Sequence, residues 1–144
     1  MKVGEQMTPF SEIYARFLSK ITDYDFLSLE EEDLEAELYL KLQDTLGKLP
    51  MLSLDLNPET QTFSRSLTSF EKSWLAQGML VSYLESKVYS ISIMKNHFSS
   101  NDFKIFSSAN QLKEMINLHT HADDELTHLT NQYLIYQLKA EMMK

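Results

Sequence analysis

The residues best suited to chemistry lie in one short stretch, "NLHTHADDELTH" (residues 117–128), which holds three of the chain's four histidines and three carboxylates. Histidine and carboxylate side chains bind zinc and iron, and they are the usual groups in acid–base catalysis. His121 and Glu125 are four residues apart, so on a helix they would share one face and could chelate an ion. Asp124 and His128 have the same spacing. A metal site, an acid–base centre and a solvated helix face are therefore the alternatives.

The spacing of the histidines disfavours a metal site. His121 and His128 lie ~10 Å apart along a helix that rises 1.5 Å per residue, too far for one ion to reach both. A zinc-binding helix places two histidines four residues apart, with a glutamate beside the first. A di-iron bundle needs Glu-x-x-His pairs on two helices, and Glu125 to His128 is a single pair. We favour a solvated face, with His121, Glu125 and His128 as a weak metal alternative, and predict no cofactor. For His119 we favour a core or interface position.

Other catalytic signatures are missing from the sequence. The chain has no cysteine, which excludes thiol catalysis and thiolate zinc sites, and its three glycines are isolated from one another. No G-x-S-x-G motif occurs. The acidic run "EEEDLEAE" (residues 30–37) could hold paired catalytic carboxylates, but a helix dipole also favours acidic residues in a first turn. We therefore predict no catalytic residue and no enzyme.

Composition indicates a helical globular protein. The 144 residues are 43% hydrophobic and 24% charged, and only three glycines and three prolines are available for the tight turns of a β fold. The net charge of −8 argues against a protein that wraps nucleic acid, which needs clustered Lys and Arg. Neither a signal-peptide pattern nor a membrane-spanning segment is visible. We expect a soluble protein made in a cytoplasm.

Hydrophobic periodicity and start signals predict the first two helices. Thr8 suits an N-cap and Pro9 the first helical position. The first apolar stripe is Phe10, Ile13, Tyr14, Phe17, Leu18 and Ile21. Ser28 and Glu31 have capping-box spacing before the second helix, which Pro50 ends. Its buried ridge is Leu34, Leu38, Leu42, Leu46 and Leu49.

The third helix is predicted to begin at Thr68, with Glu71 completing a capping box, and to run to about Asn96. Apolar residues surround much of it, which is typical of a central helix. The stretches 51–66 and 98–110 are predicted to be connections. Within the first, "LSLDL" alternates as a strand does, but a strand without a partner is unstable.

The last helix is predicted over about residues 108–143, because Ser108 and Gln111 form a third capping-box pattern. Its apolar residues follow alternating steps of three and four, a heptad seam of the kind that packs along another helix. The seam consists of Leu112, Met115, His119, Ala122, Leu126, Leu129, Tyr133, Tyr136, Ala140 and Met143.

Length suggests that this seam needs a partner. Residues 109–143 would span ~50 Å as a helix, whereas a compact globule of this size is ~37 Å across. The helix would then extend beyond its own bundle with the seam still running. Tyr133, Tyr136, Met142 and Met143 are candidate partner contacts at this end, with ordinary seam residues as the alternative. The prediction is an all-α, single-domain bundle (residues 1–144) of about four helices, whose C-terminal helix could project.

Three stretches carry a resemblance to a known family. They are "MTPFSEIYARFLSKITDYDFLSL", "LEEEDLEAELYLKLQDTL" and "SYLESKVYSISIMKNHFSSNDFKIFSSANQLKEM", which together cover just over half of the chain. In its short capped first helix, acidic second helix and aromatic turn before "S-x-A-N-x-L-K-E", the chain resembles the head–tail connector, or neck adaptor, proteins of tailed bacteriophages.

The resemblance implies a structural subunit without enzymatic activity, made in the bacterial host and located in the neck of the virion. Copies would form a ring that attaches to the portal protein, contacts the next neck or tail-completion protein, and extends the DNA channel. DNA would pass through without sequence-specific binding, and no membrane would be involved. The alternative is a small acidic helical protein that binds and regulates a host or phage protein.

Overall fold

A computed structural model describes residues 6–97 and 102–143, without the side chains of residues 24–25, 94–97 and 102–108. The predicted all-α class is confirmed: apart from one small hairpin, the regular secondary structure of the described residues is helical, and the C-terminal helix is long. The helices are α1 (Phe10–Leu18), the one-turn α2 (Tyr24–Leu27), α3 (Glu31–Lys48), α4 (Ser69–His97) and α5 (Asp102–Met142). The hairpin strands are β1 (Leu56–Asn57) and β2 (Thr62–Phe63).

The chain divides into two compact units, and the division falls inside α4, between Leu80 and Val81. The first unit contains α1, α2, α3, the hairpin and the beginning of α4. The second contains the rest of α4 together with α5. That residues 1–144 form a single domain, and that α5 projects from a bundle, stay predictions.

The core of the first unit is built from the apolar faces of its helices. In α1 the buried residues follow the predicted helical stripe, and in α3 Leu38 and Leu42 are buried on the predicted ridge. Aromatic rings meet between these elements: Phe10 lies 5.0 Å from Phe63 and 5.7 Å from Tyr39, centroid to centroid. Such edge-to-face and stacked pairs add to the free energy gained by burying the rings.

The start of α4 follows the predicted capping box. The Thr68 hydroxyl accepts a hydrogen bond from the Glu71 N–H at 3.2 Å, and the Glu71 carboxylate accepts one from the Thr68 N–H at 3.0 Å. Arg65 adds two hydrogen bonds to the same carboxylate, at 3.0 and 2.5 Å. Burial alone would raise the pKa of Glu71, but the hydrogen bonds from Arg65 and Thr68 and the Arg65 charge outweigh it and hold the pKa below its usual range.

The predicted caps of the first two helices were wrong. Thr8 does not cap α1; its buried hydroxyl instead accepts a hydrogen bond from the Leu67 N–H at 2.8 Å, on a segment far along the chain. Helix α3 begins at Glu31 with Glu30 as N-cap, so Ser28 precedes the helix. In both places a tertiary contact or a turn takes precedence over the local pattern.

The connection between α3 and α4 contains a paired strand that the sequence did not predict. β1 and β2 are antiparallel, with Leu56 opposite Phe63 and Asn57 opposite Thr62. The second strand also pairs with the residues that lead into α1: the Phe63 N–H donates to the Thr8 carbonyl, and the Phe10 N–H donates to the Gln61 carbonyl, both at 2.9 Å. The hairpin is therefore anchored over the beginning of α1.

Helix α5 begins earlier than predicted. It starts at Asp102, so Ser108 lies within the helix and is not its N-cap, and part of the predicted connection 98–110 is helical. Residues 98–101 of that connection lie outside the described residues. None of the helices in the described ranges combines the length and the apolarity that crossing a bilayer requires.

Candidate functional site

The histidine-rich stretch lies in the middle of α5, and its side chains differ in environment. His119 is half-buried, and its Nε2 atom lies 3.4 Å from the Glu85 Oε1 atom on α4. His121, Glu125 and His128 are exposed. His119 therefore contributes to packing between α5 and the second half of α4, whereas the other three residues face solvent.

At helical spacing, the histidine-rich stretch offers candidate metal ligands in pairs. Across residues 6–97 and 102–143, no group of three histidine, aspartate or glutamate side chains is placed to share a metal ion. A mononuclear site needs at least three protein ligands. His121 with Glu125, or Asp124 with His128, would supply two.

The predicted heptad seam of α5 becomes progressively more exposed toward its C-terminal end. Ala122 and Leu126 are buried, each 6% exposed. Leu129 and Tyr133 are half-buried, and beyond them Tyr136 is 58% exposed. The seam is therefore buried at the middle of α5 and becomes exposed to solvent before the helix ends.

We call residues 133–143 the apolar end of α5. Outside the predicted seam it also exposes Leu134, Ile135, Leu138 and Met142, from 43% for Leu134 to 77% for Met142. Within the second unit, residues 81–97 of α4 measure about 25 Å against about 60 Å for the 41 residues of α5. That part of α4 is too short to cover the whole of α5.

The four predicted contact residues all lie in the apolar end, at different degrees of exposure. Met142 and Met143 are 77% and 87% exposed, and Tyr136 is also exposed. Tyr133 is half-buried, and its hydroxyl accepts a hydrogen bond from Gln137 Nε2 at 2.8 Å. The prediction missed Leu138 and its apolar neighbours because it followed a single heptad line. The run "YLIYQL" (residues 133–138) could have revealed them. It places apolar residues on every side of the helix, and one neighbouring helix cannot cover all of these sides.

The apolar end is also electrically neutral, since its charged residues are one lysine, Lys139, and one glutamate, Glu141. The whole chain carries a net charge of −8. Two copies could therefore meet at this segment without the like-charge repulsion that other parts of the surface would produce. The apolar end of α5 is therefore suited to association with another protein surface.

No protein-family model, curated protein or solved structure matches the chain. The resemblance to phage neck connectors is therefore carried by the sequence motifs alone.

Proposed function

We propose that the chain is a structural assembly subunit whose copies associate through the apolar end of α5. In its more specific form, the proposal is a head–tail connector of a tailed bacteriophage. Copies form a ring that attaches to the portal protein, extends the DNA channel and receives the next neck or tail-completion protein. The subunit acts in the virion neck and carries out no reaction.

The observation that supports assembly is the exposure of the apolar end. Monomeric proteins rarely leave several large apolar side chains exposed side by side, and such patches usually mark contacts with other proteins. Leu138, 59% exposed, and Met142, 77% exposed, are one helical turn apart. Burying the exposed part of one leucine contributes about 1–2 kcal/mol. Because every subunit of a ring makes two contacts, the apolar end of one copy would lie against a different surface of the next copy, and further surface would have to be buried with it.

The support for a phage neck is the sequence resemblance together with charge. An acidic subunit that surrounds DNA would repel it weakly and allow it to slide. The motifs that carry the resemblance lie in α1, α3 and the region from α4 into α5, so they are spread over both units. The portal and the following neck component are the partners that the resemblance implies.

The test of assembly compares two leucine-to-lysine variants. Leu138→Lys places a charge in the apolar end, whereas Leu40→Lys makes the same change at an equally exposed position on α3, 58% against 59%. Native mass would be measured over a range of concentrations, for the protein alone and mixed with the portal protein from the same genome. We expect Leu138→Lys to weaken each contact at least tenfold, which is about 1.4 kcal/mol, and Leu40→Lys to assemble as the wild type does.

Two results would contradict the proposal. If both variants assemble as the wild type does, the apolar end is not the contact. If the wild type remains monomeric with and without portal, the chain is not a connector subunit. Genomic position tests the phage assignment separately, because a connector gene lies between a portal gene and tail genes.

A second candidate is an acidic helical protein that binds a host or phage protein. It is favoured by the first turn of α3, where Glu31, Glu32 and Asp33 are all exposed. Two results would favour this candidate over the ring. The chain would form a stable dimer that does not bind the portal protein, and its binding to a basic partner would weaken as the salt concentration is raised.

A further inference from the structure

A cavity of about 230 Å³ is present in the first unit. Its walls come from three elements: α1, one face of α3, and the turn between β1 and β2. The residues that matter are three aromatic rings, two carboxylates and one small residue: Phe10, Tyr14, Tyr39, Glu32, Glu35 and Ala36.

The spacing of these residues explains why a cavity forms there. Glu32, Glu35, Ala36 and Tyr39 stand at steps of three, one and three, so they share one face of α3. Ala36, in the middle of that face, leaves space that a larger side chain would fill. The opposite wall is held in place, because the turn between the strands is fixed by hydrogen bonds from the backbone N–H groups of residues 59 and 60 to Asn57 Oδ1, at 3.1 and 3.3 Å.

The inner wall of the cavity is aromatic and rigid. Phe10 is 1% exposed and Tyr14 is 8% exposed. The ring of Tyr39 stacks on Phe10 at 5.7 Å and 26°, and the Tyr14 ring centroid lies 6.1 Å from that of Phe10. The faces of such rings carry partial negative charge and attract cations.

The outer part of the cavity is acidic. Glu32 and Glu35 are both exposed. Neither forms an ion pair with any residue that the structure describes, and no lysine or arginine is among the residues that line the cavity. Burial raises the pKa of the Tyr14 phenol, and the electrostatic influence of Tyr39 and Glu35 raises it further. The negative charge of Glu35 therefore reaches this ring, and that charge would favour a cation there.

We propose that this cavity binds an organic cation, a guanidinium or alkylammonium group that lies against the aromatic rings and faces the two glutamates. A dry cavity of about 150 Å³ holds one benzene molecule, so a space of about 230 Å³ accommodates such a head group with part of its stem. The cation is either a basic side chain of a partner protein or a free small amine. The site uses residues of the first unit only, so this proposal does not depend on the proposed association through the apolar end of α5.

The direct test is an NMR titration of the full chain with choline, with N-methylguanidinium, and with the uncharged carbon isostere of choline. We expect saturable shifts of the ring signals of Tyr14 and Tyr39 with the two cations, and binding at least roughly fivefold weaker for the isostere. Raising the salt concentration should weaken binding of the cations only. Equal binding of choline and its isostere, or no saturable shift with either cation, would overturn the proposal.

Three variants distinguish binding in the cavity from a general attraction of cations to the acidic residues of α3. Glu35→Gln should weaken choline binding several-fold, whereas Glu31→Gln removes the same charge from the same end of α3 at an exposed position outside the cavity and should change it little. Ala36→Leu, at an exposed helical position that tolerates leucine, should fill the cavity and abolish binding. Binding that survives Ala36→Leu, or that falls equally with both glutamine variants, would show that the cavity is not the site.

The source of the cation is separated by comparing a Gly-Arg-Gly peptide with N-methylguanidinium. Binding of the peptide at least tenfold tighter, and its loss when citrulline replaces arginine, would indicate a partner's side chain. Equal affinity would indicate a free small cation. Both results support a cation site.

Discussion

Helix α4 packs tightly against Thr45 of α3 at Gly78, in the first unit. A Cβ atom at residue 78 would overlap Thr45 Cγ2, and would lie 3.2 Å from both the Cβ and the Oγ1 atoms of Thr45. Thr45 is fully buried, and its hydroxyl donates to the Lys41 carbonyl at 2.8 Å, which holds the rotamer in place. We therefore expect Gly78→Ala to destabilise the protein, although alanine is the better helix former.

Gly47 provides the matched control for this substitution. It also lies in a helix, α3, but a Cβ atom there would meet nothing within 4 Å. Both substitutions gain about 0.5–1 kcal/mol from helix propensity and a more restricted unfolded chain. Gly78→Ala additionally pays an overpacking cost of about 1–3 kcal/mol. The difference in unfolding free energy between the two variants should therefore be about 1–3 kcal/mol, with Gly47→Ala the more stable.

A double mutant tests whether Thr45 is the obstacle. Thr45→Ala alone should cost about 1–2 kcal/mol, from a lost methyl group and a lost hydrogen bond. In that background Gly78→Ala should be neutral or stabilising, which gives a coupling energy of at least about 1 kcal/mol. Urea unfolding can be followed by the fluorescence of Trp74, the sole tryptophan, which is fully buried in the same unit. If Gly78→Ala proved as stable as Gly47→Ala, the close packing of α3 on α4 would be refuted.

The remaining predictions concern two buried polar contacts of the first unit. Glu71→Gln should lower the unfolding free energy by about 1–3 kcal/mol at neutral pH, because it removes the charge that pairs with Arg65. Since the pKa of Glu71 is lowered from 4.5 on folding, this contribution is complete above about pH 4.5 and is lost as the pH falls through the folded-state pKa. Urea unfolding at pH 7 and at about pH 3 should therefore show that the unfolding free energies of Glu71→Gln and the wild type converge in acid. A difference that stays the same at both pH values would contradict a lowered pKa for Glu71. Thr8→Val should cost about 1–3 kcal/mol, because it leaves the buried Leu67 N–H without its acceptor, whereas Thr8→Ser should retain most of the stability. Thermal melts of the two variants would distinguish this from a packing effect, for which serine would be the worse replacement.

The sequence predicts the helices well where their signals are local and unopposed. Thr68 and Glu71 form the expected capping box because both partners are within one turn, and the apolar stripe of α1 is buried as its period requires. Ser108 fails as a start signal because a capping-box pattern also fits inside a continuing helix. Thr8 fails because a distant backbone N–H competes for its hydroxyl, and no local pattern reveals that competitor.

The candidate sites, too, depend on contacts between distant parts of the chain, which local sequence patterns do not reveal. The heptad line of α5 is visible in the sequence, but the point where its burial stops depends on the length of the helix that faces it. The cavity in the first unit escaped prediction because its walls come from three elements far apart in the chain. Only the α3 face had a local signal, two glutamates, an alanine and a tyrosine at helical spacing, and that signal is equally compatible with an ordinary solvated face.

The anchoring of the hairpin to the residues before α1 has a consequence for folding during synthesis. Thr8 receives its hydrogen bond from Leu67, 59 residues later, and Phe10 donates to Gln61. Contacts of such sequence separation slow folding, because a long loop must close before they form. While the ribosome is still making α3, the first helix has neither its backbone partners nor the α4 residues Lys72 and Ser73, which pair with Glu12 and Arg16 in the folded protein. Residues 8–21 therefore leave the exit tunnel before the beginning of α4 but reach their native state only after it has emerged. Until then an aromatic, apolar segment of the nascent chain stays exposed.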